Sequence, residues 1–310
     1  MMKRKKELLS SGKTEREAKS SLRSMMRRDT IADEYWLRVM PSTAVEESEI
    51  GIIFRGRDLL HRKGADYESD SPHLVSAGSG YSWGDEKKLL VHIPGTGSSP
   101  TTHHVGSDFL RAAHSVGWAS ISLSYEWANY ADSQKNTECM NRGNPECQKM
   151  LAAYHRDVSF GGSTCPLSNT HVSGSIVGRL GALLLYLAKV RSADEEWSSF
   201  LVDGGAEMMM KEGGEDVTIE DIISSINWTR IILTGHSQGA GHAAYIGQEI
   251  EVGRLVLFSG PQEGFVLSDS PDDPQYHWLD NEFKTKNVYG MMHRNEEGTS
   301  GTCTFLLFFT

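Results

Sequence analysis

The chain has 310 residues, 38% of them apolar, and a formal charge of −10. That length accommodates one large α/β domain. No run of 18 apolar residues is present to span a membrane, and no apolar stretch follows the basic N-terminus as a secretory signal requires, so the default compartment is the cytoplasm. Residues 1–30 hold 10 Lys/Arg and 4 Asp/Glu, a balance of +6 that leaves −16 on the remainder. So acidic a body argues against general nucleic-acid binding.

Residues 1–48 lack apolar periodicity and read as a basic tail, disordered or partly helical, ahead of a domain over 49–310. KLLVHI (88–93) is a short apolar run ending at the turn PGTG, as a buried strand should. SDFLRAAHSV (107–116) predicts a helix capped by Ser107, with Phe109, Leu110, Ala112, Ala113 and Val116 on one face. ASISLS (119–124) is the next strand. Residues 126–171, rich in Asn, Ser, Gly and Cys, read as a long excursion.

Within SIVGRLGALLLYLAKV (175–190), apolar positions 176, 177, 180, 183, 184 and 187 follow helical spacing. Residues 193–225 hold ten acids and one lysine and predict a solvated loop with a short helix, or an acidic lid over a ligand site. RIILT (230–234), a helix from about Gln238 to Ile250, RLVLF (254–258) and KNVYGMM (286–292) complete the series. Strand–helix–strand order repeated in this way demands parallel pairing with helices on both faces, so the class is α/β.

Cysteines 139, 147, 165 and 303 are too few for a disulfide scaffold, although a disulfide between Cys139 and Cys147 would close a polar loop. Together with His155 or His171 they show no zinc-ligand spacing. No metal or cofactor is expected.

IILTGHSQGAGHAA (231–244) carries the chemistry. Gly235-His236-Ser237-Gln238-Gly239 fits G-x-S-x-G, between an apolar strand and a helix that opens on small residues. A serine at such a turn is held in a strained conformation that exposes its Oγ, and the flanking glycines remove Cβ atoms that would collide. The N–H of Gln238 lies at the helix N-terminus, where a developing oxyanion is favoured. His236 points elsewhere in such a turn and reads as a packing residue; His242, on the helix, reads as structural.

On these residues the chain resembles the α/β-hydrolase superfamily (serine esterase/lipase-like) over roughly residues 50–300. The resemblance implies a second oxyanion donor in the loop after an earlier strand. HIPGTGSSP (92–100) occupies that place, so Thr96 or Gly97 offers its N–H, a departure from the commoner His-Gly-Gly form; His103 and His104 read as exposed or entrance-lining residues. It also implies the order Ser, acid, His, with the acid after a late strand. Glu296 is favoured there over Glu297, with Asp269 as competitor.

The last histidine, His293, precedes Glu296. The expectation is therefore an α/β-hydrolase truncated at its C-terminus and missing its last elements. Compact members such as cutinases suggest another arrangement, in which Asp269 or Asp272 pairs with His293 and TFLLFF is a terminal strand.

Two functions compete. One is a serine hydrolase cleaving small-molecule carboxylic esters through an acyl-enzyme on Ser237, with thioesterase, peptidase and acyltransferase sharing the first step. The other is an inactive, truncated or degenerate hydrolase that binds a ligand or a protein. A third role, docking through the basic arm, rests on residues 1–30 alone. Asn227-Trp228-Thr229 fits a glycosylation sequon but abuts a buried strand.

Overall fold

A computed structural model of the chain describes residues 37–39, 73–77, 88–96, 104–125, 145–165, 168, 170–190, 196–210, 217–261 and 282–291. Seven strands among them form one sheet: β1 (Leu37–Val39), β2 (His73–Ser76), β3 (Leu89–Ile93), β4 (Ala119–Ser122), β5 (Ile231–His236), β6 (Arg254–Phe258) and β7 (Val288–Met291). Their spatial order is β1-β2-β4-β3-β5-β6-β7. β2 runs antiparallel to β4, and every pairing from β4 to β7 is parallel. β3 is buried along its whole length and β5 up to Gly235, as central strands covered on both faces are. β1 falls within the stretch read as a tail, and β2, HLVS, was not foreseen.

Helix α1 (His104–Ser115) connects β3 to β4. It starts before Ser107, which lies in its first turn instead of capping it. Helix α2 (Pro145–Phe160) is a correction to the excursion read over 126–171. Proline opens it, where a missing N–H costs nothing. Leu151, Tyr154, His155 and Val158 are all buried, which is the i, i+3, i+4, i+7 stripe of an amphipathic helix. Charged and polar neighbours such as Glu146, Gln148, Lys149 and Arg156 hid that stripe.

Helix α3 (Ile176–Val190) is buried on every side from Ile176 to Leu187, Arg179 included. Its guanidinium survives burial by donating from Nε to the Gly174 carbonyl at 2.9 Å and from Nη1 to that of Ser124 at 3.4 Å. Part of the cover comes from the acidic segment: it contains the short helix expected, but its described residues also pack against α3 where a solvated loop was read. A 3₁₀ turn (Trp197–Phe200), α4 (Gly205–Met208) and α5 (Ile219–Ser225) set Trp197, Phe200, Leu201, Met209 and Ile222 into the core. Among the described acids, Glu196, Asp203, Glu207 and Glu220 are exposed. Each buried aromatic removes on the order of 200 Å² from water, about 5 kcal/mol at most, enough to override a local excess of charge. Thr218 and Asp221 start α5 with a reciprocal capping box.

Helix α6 (Gln238–Glu249) connects β5 to β6. The step from β3 to β4 moves toward one edge of the sheet and that from β5 to β6 toward the other. Right-handed crossovers therefore put α1 and α6 on opposite faces. Between β3 and β5 the connections diverge, and the carboxyl ends of two such strands frame the crevice of an open α/β sheet. No helix among the described residues is long and apolar enough to cross a membrane.

Candidate functional site

Register brings the two sequence-predicted loops together. Ile93, the last residue of β3, pairs with Gly235, so Pro94–Thr96 leaves the sheet beside His236–Gln238. A Cβ at Gly95 would lie 3.0 Å from the His236 carbonyl oxygen and 3.1 Å from the Ser237 Cβ. The loop backbone and the bend at Ser237 are in van der Waals contact.

The bend is as sharp as its sequence requires. Ser237 has φ 53° and ψ −119°, a region that costs a non-glycine residue about 1–3 kcal/mol. A Cβ at Gly235 would strike the backbone of Gly239 and sit 2.6 Å from the nitrogen of Ala240. One at Gly239 would strike the carbonyl oxygens of Ile93 and Pro94. On the other flank Ser237 N–H donates to the Phe258 carbonyl at 2.9 Å.

Ser237 is also the N-cap of α6, where a serine ordinarily accepts a bond from the amide two or three residues on. Here it does not cap. Its carbonyl accepts instead, from Ala240 N–H at 2.9 Å and Gly241 N–H at 3.4 Å. The hydroxyl, half-buried, is left out of the helix start, while the first amides of α6 have no intrahelical acceptor.

Thr96 and Gln238 are joined directly: Thr96 Oγ1 donates to Gln238 Oε1 at 2.6 Å. Gln238 Nε2 donates in turn to Tyr154 Oη at 2.7 Å, from a carboxamide that is almost fully buried. Tyr125 Oη donates to the Pro94 carbonyl at 2.9 Å. Neither tyrosine was singled out in the sequence. The helical stripe through Leu151, Tyr154, His155 and Val158 was the available signal for Tyr154; Tyr125 had none.

His242 lies buried on α6, against α2. It meets His155 at 3.0 Å between Nδ1 atoms, both rings fully buried. One ring donates and the other accepts, and burial favours the neutral form of both. Burial lowers His155 to about 3 and takes His242 well below the usual histidine range, with the His155 ring adding to the effect on His242. A third buried histidine, His73, accepts from Ser124 N–H at 2.9 Å. Burial first and Arg179 second lower it to about 3.

The remaining predicted site positions, Gly97, Asp269, Asp272, His293, Glu296 and Glu297, lie outside the described residues, as do Cys139 and Cys303. Cys165 is buried, and its amide donates to Asp157 Oδ2 at 2.8 Å. A cleft of about 880 Å³ lined by Leu185, Lys189, Glu196, Asp203, Asn227 and Arg230 lies at the entry end of β5. Ser237 is at the exit end, so that cleft is not part of this site.

No family model and no curated protein sequence matches the chain. Solved structures to which it is similar include an inhibited esterase B from Lactobacillus rhamnosis (12% identity, TM-score 0.33, covering 78% of this chain and 54% of that one). Another is a bacterial heroin esterase (13% identity, TM-score 0.33, covering 90% of this chain and 71% of that one). The chain thus spans about half the length of the esterase B. Likeness at these values carries no conclusion about activity; the α/β class is read from the parallel sheet and its crossovers.

Proposed function

We propose that the chain is a serine hydrolase acting on small-molecule carboxylic esters, with Ser237 as nucleophile. One observation carries this reading: Ser237 occupies a helix N-cap without capping, in a strained bend that frees its hydroxyl at the carboxyl end of β5. Such a turn is the nucleophile elbow of a G-x-S-x-G sequence. Ser237 Oγ would attack the ester carbonyl carbon, the alkoxide would leave with a proton, and water would then cleave the acyl-enzyme. The Gln238 N–H and a second N–H, from Thr96 or Gly97, would receive the negative charge on the carbonyl oxygen. Glu296 is the proposed catalytic acid.

Fluorophosphonate labelling tests the reading. The folded protein is expected to be modified at Ser237, and Ser237→Ala to remain unlabelled. No labelling of folded protein would favour instead a non-catalytic relative that binds a ligand or a protein.

A further inference from the structure

We propose that Tyr154, on α2, is a positioning residue for the oxyanion site: it holds Gln238 and Thr96, and with them the amides of two separate loops, at a fixed separation. The proposal rests on the hydrolase reading of Ser237. Thr96 Oγ1, the Gln238 carboxamide and Tyr154 Oη form a continuous relay with links of 2.6 and 2.7 Å. The relay bridges the β3 loop to the start of α6, and it bridges them in either orientation of the carboxamide. Gln238 is 2% exposed, so water cannot substitute for a lost partner.

Tyr154 is itself immobilised. Its ring lies 5.6 Å from that of His242, on α6, and 5.6 Å edge-on to that of His155. Tyr125 packs on the same His242: its ring meets that of His242 at 5.3 Å, and its hydroxyl holds the Pro94 carbonyl, two residues before Thr96. The buried His155–His242 pair therefore forms the seat on which both tyrosines rest. A buried polar chain whose members are partnered and packed has few alternative geometries, which is what prearranged amide donors need.

The test is the rate of Ser237 phosphonylation in Tyr154→Phe, Thr96→Val and the double variant, with folding checked by near-UV circular dichroism. Tyr154→Phe keeps the ring and removes only the hydroxyl. It is expected to slow the bonding step about 10–100-fold, as for a misplacement on the order of 1 Å, while the apparent affinity for the probe changes little. The double variant should be no slower than the slower single one, because both break one relay. Wild-type rates in folded Tyr154→Phe, or independent multiplying losses, would overturn the relay.

If the wild-type protein is not phosphonylated at Ser237, the hydrolase reading fails. Amide hydrogen exchange then reads the brace directly. Faster exchange at Thr96 and Gln238 in Tyr154→Phe supports it, and unchanged exchange overturns it.

Discussion

Replacing Gly239 by alanine tests whether the start of α6 is pressed against the end of β3. The added Cβ would collide with the carbonyl oxygens of Ile93 and Pro94 and lie 2.8 Å from the Ile93 carbonyl carbon, where ordinary contact begins at 3.4 Å. Helix and strand must part by at least about 0.6 Å, and no rotamer can relieve backbone against backbone. Overpacking of this kind costs about 1–3 kcal/mol, and a clash with three backbone atoms belongs at the upper end. For a domain of this size that lowers Tm by about 6–12 °C. The same movement pulls Gln238 from Thr96, so Ser237 phosphonylation should slow by ~10²-fold.

Gly204→Ala provides the contrast. Gly204 has φ +74° with nothing within 4 Å of its would-be Cβ, so the change costs about 1 kcal/mol in backbone strain and leaves the rate alone. Thermal unfolding and labelling rates read both. If Gly239→Ala melts and reacts like the wild type, the close seating of α6 on β3 is wrong.

Acid should destabilise the fold well before its carboxylates titrate. His73 and His155 titrate near 3 when folded and near 6.5 when unfolded, so the unfolded state binds more protons below pH 6.5. Their contribution is complete above 6.5 and drains as pH falls toward 3. At pH 4.5 it has dropped by nearly 3 kcal/mol for each, against a typical total of about 5–15. Urea midpoints that hold constant from pH 7.5 to 4.5 would contradict this. Ser237→Gly should relieve the strain at φ 53° and, after glycine's own entropic cost, gain about 1 kcal/mol over Ser237→Ala. A Tm no higher than that of the alanine variant would mean that the bend stores no strain.

Sequence made the sheet centre and the bend legible because there local and global preferences agree. LLVHI and IILT are mostly apolar and β-prone, each runs into a glycine-containing turn sequence, and the G-x-S-x-G spacing is a steric requirement visible without coordinates. The acidic segment misled because composition outvoted position: Trp197, Phe200 and Ile222 are few but fully buried. α2 was hidden for the same reason. Tyr154 was illegible as a site residue since its role comes from the register of α2 on α6, which no local pattern encodes.

The most direct measurement is a crystal structure of the phosphonylated protein. Phosphorus is expected on Ser237 Oγ, with one phosphonyl oxygen about 3 Å from the N–H of Gln238 and from that of Thr96 or Gly97. An adduct on another residue, or an oxygen turned away from both loops, would contradict the account.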